Sequence, residues 1–222
     1  MANEIKIDRE LAKKVLSIVD AGLSSGLGKQ KPGEMCVEAA VCYALGLPHG
    51  DDPKCVSPAL RSLKIALNDK NWSSKAARAK GMRRLSIIQL GTMGELDDKK
   101  FVAAVAEMTI RAFVPIALRA AASMKGNAAH KDALEVAAKR CEDEGTKAAA
   151  YAADAYAADA YAANTYAANA YAAAAYANAY AADADDYAKK RDSVLSQFAE
   201  AIVQILVRMG VKAADYLDLA PL

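Results

Sequence analysis

Cys36 and His49 are the residues whose types and positions best suit nucleophilic chemistry. The stretch EMCVEAAVCYALG, residues 34–46, predicts a helix, and Cys36 would lie in its first turn. The positive end of a helix dipole lowers the pKa of a thiol there and favours the nucleophilic thiolate. A thiol hydrolase also needs a histidine that an acid or amide orients, and two aspartates follow His49 closely. The sequence therefore offers a cysteine-dependent hydrolase as one functional hypothesis.

The surroundings of Cys36 contain evidence for and against a hydrolase. Gln30 precedes it by six residues, a spacing that resembles the oxyanion donor of papain-like proteases. Those folds, however, place the catalytic histidine on a β-sheet, and no convincing run of strands follows here. A small thiol on an apolar helix is most often buried packing. We therefore expect Cys36 to be a packing residue, and the hydrolase stays the alternative.

A zinc site formed by Cys36, Cys42, His49 and Cys55 is a second hypothesis. Zinc takes four cysteine or histidine ligands, so the number of ligands is right. The spacing is not, because there is no CxxC pair and two of the cysteines would point about 120° apart on one helix. The sequence therefore predicts no metal and no cofactor. We expect His49 and the adjacent aspartates to hold the loop LPHGDDPKCVSP together by hydrogen bonds.

A run of basic residues at helical spacing is the third candidate, for an anionic ligand. It consists of Lys75, Arg78, Lys80, Arg83 and Arg84. Such residues bind phosphate groups of nucleotides or nucleic acids. Nucleic acid is possible but not favoured, because Trp72 is the single nearby aromatic residue that could stack on a base. A solvated helix face, or a partner for the acidic second half of the chain, is the plainer interpretation.

The segment PGEMCVEAAVCYALGLPHGDDPKCVSP, residues 32–58, resembles a group of uncharacterised helical proteins of bacteria, notably actinobacteria, and of their phages. An alanine–tyrosine helix and a YLDL motif, both present here, are similar as well. The resemblance implies a self-contained helical protein and assigns no catalytic residue. In a phage context it implies a protein that binds or inhibits a host factor or sequesters a small signal molecule.

The first half of the chain predicts a series of short helices. Residues 8–21 place apolar side chains on one face, with Asp8 as an N-cap. Further helices are expected over residues 34–46, 58–69 and 73–91, the last capped by Ser73 or Ser74 and broken or bent at Gly81.

A fifth helix is expected over residues 97–124, and Pro115 within it would kink it or remove a hydrogen bond. We group all of these helices into a head domain, residues 1–128.

Residues 151–187 form an alanine-rich stretch with a tyrosine at most fifth positions. Alanine has the best helix propensity, and no proline or glycine interrupts the run, so one helix of roughly 55 Å is expected. A spacing of five spirals the tyrosines around the helix, so no single face is apolar. A pentapeptide-repeat β-helix, an ice-binding helix and a transmembrane helix fit less well. We expect a soluble spacer or packing helix.

The last helix has the clearest pattern. Leu195, Phe198, Ile202, Ile205 and Met209 alternate by three and four, as in the seam of a coiled coil. We therefore expect helices to pack closely here, within the chain or across an oligomer, and the YLDLAPL segment to dock on another part of the protein. Residues 129–222 are predicted to be a helical extension. The predicted fold class of the whole chain is all-α.

Charge and composition complete the prediction. Residues 1–131 carry 21 lysines and arginines against 13 acidic residues, whereas residues 132–222 carry 8 against 14, so the two parts could attract each other. The start lacks a secretory signal and the four cysteines are few, so we expect a cytoplasmic protein with free thiols and no membrane contact. The favoured function is a non-enzymatic homo-oligomer that binds an anionic ligand or a host protein. A purely structural spacer stays open.

Overall fold

The computed structural model describes residues 6–123, 125–159 and 184–222. Within these ranges the structure is helical, with one isolated antiparallel bridge between Gly28 and Met35, which confirms the all-α prediction. The α-helices described are α1 Arg9–Asp20, α2 Val37–Ala44, α3 Pro58–Asn68, α4 Lys75–Ile88, α5 Asp98–Met108, α6 Val114–Ala122, α7 Lys131–Glu144, α8 Lys147–Asp159 and α9 Ala184–Arg208. A π-helical turn, Thr109–Phe113, and two 3₁₀ helices, Lys125–His130 and Lys212–Leu219, complete them.

Short polar side chains start several of the helices. Asp8 accepts a hydrogen bond from the backbone N–H of Leu11 at 2.9 Å, and Ser74 accepts one from Ala77 at 3.0 Å. Each oxygen serves an N–H that has no partner inside its helix, which is why such residues favour this position. Both caps were predicted from the sequence. The helix was expected to be broken or bent at Gly81; the break is wrong, because α4 continues through this residue, and the bend stays a prediction.

The chain forms two compact units. The first comprises Met1–Val102 together with Ala199–Leu222, and the second comprises Ala103–Phe198. The boundary expected at residue 128 falls inside the second unit, and residues 199–222 of the expected extension lie in the first unit.

In the first unit, α1 packs against α2 and α4, α2 also packs against α3, and the 3₁₀ helix Lys212–Leu219 packs against α4 and α1. The seam predicted for α9 is buried within the chain, since Leu195, Phe198, Ile202 and Ile205 are each at most 2% exposed. The last two of these lie in this unit. Burial inside one molecule therefore accounts for the pattern that also suggested a coiled coil between molecules.

In the second unit, α6, α7 and α8 pack around a core rich in alanine, which lets helices approach closely. Arg111 holds the end of α7, because its guanidinium donates to the carbonyl oxygens of Glu142, Asp143 and Glu144 at 2.6–3.0 Å. The predicted disturbance at Pro115 appears as the π turn just before it. Proline has no N–H to continue the regular ladder, and the extra residue of the turn accommodates that loss.

The alanine–tyrosine stretch is described only at its ends. Ala149 and Ala153 of α8 are buried in the core of the second unit, whereas Tyr151 is 64% exposed. Residues 160–183, which carry most of the predicted tyrosine spiral, lie outside the described residues. The prediction of one continuous helix therefore stays a prediction.

One described stretch, Asp98–Ala122, is long and apolar enough to cross a membrane by length and composition, and 39% of its most apolar window is buried. Core helices of soluble proteins pass the same test, so the stretch is weak evidence for a span. Its Arg119 forms ion pairs with Glu135 and Glu142 of α7. The expectation of a cytoplasmic protein without membrane contact stays a prediction.

Candidate functional site

The first unit contains a fully buried ion pair between α2 and α3. Lys64 Nζ lies 2.7 Å from Glu38 Oε1, and both side chains are 0% exposed. Apart from this contact, no residue in the described ranges forms a hydrogen bond with the carboxylate or the ammonium. Desolvation raises the pKa of Glu38 and lowers the pKa of Lys64, while the attraction between the two charges opposes both shifts. The pair is thus the most costly polar feature of the interior.

Three buried cysteines surround this part of the unit. Cys36 is the N-cap of α2, and its sulfur accepts a hydrogen bond from the backbone N–H of Ala39 at 3.3 Å. Burial raises the pKa of Cys36, opposite to the shift that its helix position predicted. Burial also raises the pKa of Cys55, and it raises the pKa of Cys42 to about 12. These thiols are therefore protonated packing groups at neutral pH.

The side chain of His49 does not bond to Cys36 in this structure. Its Nε2 donates to the carbonyl oxygen of Gly28 at 3.1 Å, and its buried Nδ1 has no partner within the described part of the chain. Arg61 holds the loop that carries His49, since it donates to the backbone and side-chain oxygens of Asp51 at 2.6 and 2.7 Å. His49 thus joins its loop to the segment that contains Gly28. The sequence analysis had expected Asp51 or Asp52 as its partner.

In the described ranges, no group of three or more histidine, cysteine or acidic residues is placed to hold a metal ion. The quartet weighed for zinc is therefore not assembled.

The predicted basic run on α4 splits into buried and exposed members. Arg78 is only 7% exposed, and it donates to the carbonyl oxygens of Asn68 and Leu23 at 2.7 and 2.8 Å. Arg78 thus joins α4 to two segments that are distant in sequence, and its guanidinium is used for these internal hydrogen bonds. Lys75 and Lys80 are exposed, and neither forms an ion pair with a described residue.

Arg83 and Arg84 are partly buried and bonded within the first unit. Arg83 pairs with Asp20 at 2.7 Å, and Arg84 pairs with Glu200 at 2.9 Å. The ligand-binding role predicted for the whole run stays a prediction, but its members occupy different environments.

A tight hairpin, residues 27–36, carries two further lysines that the sequence analysis did not single out. Lys29 N donates to Glu34 O at 2.7 Å, and Cys36 N donates to Leu27 O at 3.3 Å. Pro32 and Gly33 make the turn, and this turn signal beside two lysines was visible in the sequence.

The hairpin lies beside the first turn of α4. Leu23 N donates to the carbonyl oxygen of Lys75 at 3.2 Å, which joins the segment before the hairpin to this turn. Lys31 Nζ lies 3.0 Å from Glu34 Oε1. The hydrogen bond from Lys31 lowers the pKa of Glu34, and the charges of Lys29 and Lys75 lower it further. We call Lys29, Lys31 and Lys75 the lysine cluster; all three are exposed, Lys31 contacts Glu34, and the charges of the other two act on the same carboxylate from a distance.

No protein-family model, curated protein or solved structure matches this chain. The resemblance noted for residues 32–58 therefore stays a prediction, and the function is argued from the side chains themselves.

The buried pair makes a prediction about stability. Lys64→Met leaves the Glu38 carboxylate without a counter-charge, and we expect it to lower the free energy of unfolding by about 3–5 kcal/mol. Glu38→Leu should cost a similar amount, because it leaves a buried ammonium. The double variant Glu38→Leu/Lys64→Met should recover most of the loss, since no charge is then buried. Urea unfolding of the three variants measures this, and a double variant as unstable as the singles would contradict it.

The hairpin makes a second prediction, with a matched control. At Gly28, φ is +72° and an added Cβ would lie 2.0 Å from the backbone oxygen of Glu34. At Gly26, φ is +63° and the same Cβ would meet nothing within 4 Å. Gly26→Ala should cost about 1 kcal/mol of stability, from its left-handed backbone alone. Gly28→Ala should cost at least about 2 kcal/mol more. Equal losses in urea unfolding would show that the hairpin is loosely built.

The raised thiol pKa values predict slow cysteine chemistry. At pH 7.5 we expect iodoacetamide to modify Cys36 no faster than Cys141, which is also buried and whose pKa burial also raises. Peptide mass spectrometry of the labelled native protein reports both rates. Selective labelling of Cys36 would instead revive the hydrolase hypothesis.

Proposed function

We propose that this protein is a non-enzymatic, oligomeric helical binding protein that takes an anionic ligand on its lysine cluster. The observation that carries the proposal is that Lys31 contacts Glu34 at 3.0 Å, while the charges of exposed Lys29 and Lys75 act on the same carboxylate. Lys31 is 69% exposed, so its charge is available to a partner even while it contacts Glu34. An anionic ligand would thus gain attraction from several cations and face one opposing charge.

The rigid backbone beneath the cluster supports this proposal. Gly28 and Gly33 both adopt positive φ, and a Cβ at Gly33 would lie 2.8 Å from the carbonyl oxygen of Ala21. Asp69 accepts a hydrogen bond from the N–H of Gly26 at 2.7 Å, and His49 holds the carbonyl of Gly28. A loop ordered before binding loses less entropy when the ligand arrives. The hairpin therefore presents its lysines in a preset arrangement.

The ligand class follows from what accompanies the lysines. Trp72 is only 4% exposed, and its indole N–H donates to Leu67 O at 3.0 Å. This ring is therefore not available to stack on a base, and base stacking is a main source of affinity for single-stranded nucleic acid. We favour a small phosphate-bearing or carboxylate-bearing molecule, or an acidic face of a host protein. The resemblance to bacterial and phage proteins agrees with such a partner.

Exposed apolar residues in the second unit support self-association. Val136 of α7 is 69% exposed and Tyr151 of α8 is 64% exposed. A contact with another apolar surface would remove these side chains from water, which is favourable. We propose that the oligomer contact lies on this unit. We also propose that the protein works in the cytoplasm.

Charge reversal tests the lysine cluster. Lys29→Glu/Lys31→Glu/Lys75→Glu should lower the affinity for heparin by on the order of tenfold or more at low salt, because a contact between cations and anions becomes repulsive. The control Lys13→Glu/Lys14→Glu/Lys99→Glu changes the net charge equally at exposed positions elsewhere in the first unit. Binding to immobilised heparin over a salt series measures both. Equal losses would mean that net charge alone governs binding, and the proposal would fail.

Light scattering during size-exclusion chromatography tests the oligomer. We expect a mass above the 23.4 kDa of one chain, and a shift toward one chain in Val136→Lys. The matched control is Val207→Lys, at a position 39% exposed in the first unit. A wild-type protein that is monomeric at every concentration would refute self-association.

A further inference from the structure

The segment 211–220, which we call the strap, lies over α1 and α4 of the first unit and is held mostly by polar contacts. It contains the 3₁₀ helix Lys212–Leu219. Its fully buried apolar residues are small, namely Val211, Ala213 and Ala220, each at most 8% exposed. The larger side chains of Tyr216, Leu217 and Leu219 are only half-buried. Apolar burial therefore contributes little to holding the strap in place, in comparison with the helices beneath it.

Two arginines of α4 bind the end of the strap. Arg83 Nη1 donates to the carbonyl oxygen of Leu219 at 3.2 Å, and Arg84 Nη1 donates to that of Ala220 at 2.7 Å. Arg83 also donates to both carboxylate oxygens of Asp20, through Nε at 2.7 Å and Nη2 at 3.1 Å, and Arg84 Nε donates to Glu200 at 2.9 Å. The arginine N–H groups thus donate to neutral carbonyl oxygens of the strap, although they would bind charged oxygens more strongly.

Ion pairs at the surface complete the attachment of the strap. Arg9 and Asp218 form a two-point contact, and Lys212 pairs with Glu95. The side chains of Arg9 and Asp218 are 44% and 60% exposed. Exposed pairs contribute little net stability, and salt screens them. These ion pairs therefore add little to the free energy that holds the strap on α4.

We propose that Arg83 and Arg84, together with exposed Lys80 one turn earlier, form a second anion site that the strap covers. A ligand with several phosphate groups would displace the carbonyl oxygens of Leu219 and Ala220 from the arginines. On each arginine, the Nη1 group that now donates to a strap carbonyl would donate to a phosphate oxygen. Phosphate oxygens carry full negative charge, so the exchange replaces neutral acceptors with charged ones.

The geometry also defines what opposes binding. Asp20 and Glu200 stay beside the arginines, so a singly charged anion would gain little against two carboxylates. A polyphosphate brings enough charge to compete, and Lys80 adds a cation that has no carboxylate partner in the described structure. The covered site therefore selects for clustered phosphates. This inference does not depend on the lysine cluster of the hairpin.

Hydrogen exchange of the full chain tests the proposal, with inorganic tripolyphosphate as the probe. Tripolyphosphate should speed backbone exchange in residues 211–220 several-fold, because the strap leaves α4. Arg84→Gln should abolish this response. The response should persist in Lys29→Glu/Lys31→Glu/Lys75→Glu, which separates this site from the hairpin. Unchanged or slower exchange of the strap in the wild type would overturn the proposal.

Asp218→Asn provides the complementary test, because it loosens the strap without altering α4. We expect it to raise the affinity for tripolyphosphate about three- to tenfold in calorimetry. Asp215→Asn is the matched control: it makes the same charge change on the same 3₁₀ helix, and Asp215 forms no ion pair with a described residue. Arg9→Gln should reproduce the effect of Asp218→Asn from the opposite partner. Equal affinities in Asp218→Asn and Asp215→Asn would overturn the proposal.

Discussion

The contact between Glu38 and Lys64 constrains the first unit more than any other. Two opposite charges, fully removed from water, are tolerated only while they stay together. Because one charge lies on α2 and the other on α3, these helices cannot slide or separate without exposing an unpaired charge to the interior. Replacing a buried ion pair by apolar residues of similar volume is often neutral or stabilising, so we infer that this pair serves to specify how α2 and α3 pack. The loop after α2, with His49 and Cys55, is set by that arrangement.

Near this pair, other buried polar side chains form hydrogen bonds with the backbone of the loops and hold them in place. Arg78 joins α4 to the backbone at Leu23 and Asn68, and Asn68 in turn accepts from the N–H of Val37 at 3.2 Å. Loops have carbonyl and N–H groups that no helix satisfies, so side chains must supply their partners. In this unit the interior side chains do so, which leaves the hairpin rigid and its lysines on the outside. The basic residues of the chain thus divide into internal supports and surface groups.

Much of the helix pattern was visible in the sequence, whereas the roles of individual residues were not. Asp8, Ser74 and Pro115 act as their types predict, because capping and the loss of an N–H are local effects. On α3 the apolar residues Leu63 and Ile65 are only partly buried.

Lys64 lies on the true core face of α3, four residues after Leu60 and three before Leu67, so spacing placed it among buried leucines. Charge normally excludes a lysine from a core, so helical spacing alone does not predict that Lys64 is buried. Its partner on another helix cannot be inferred from spacing.

The sequence by itself determined the class of this protein: helical propensity, caps and breaks act within a few residues, and no long-range contact is needed to predict them. The tertiary structure alone decided which charges are buried, which arginines hold carbonyl oxygens and which lysines stay exposed. It also turned the regular seam of α9 inward and joined the last segment to α1 and α4. These outcomes depend on groups that are far apart in the chain and meet only when it folds. Burial also changes the free energy of a charged side chain far more than the residues next to it in sequence do.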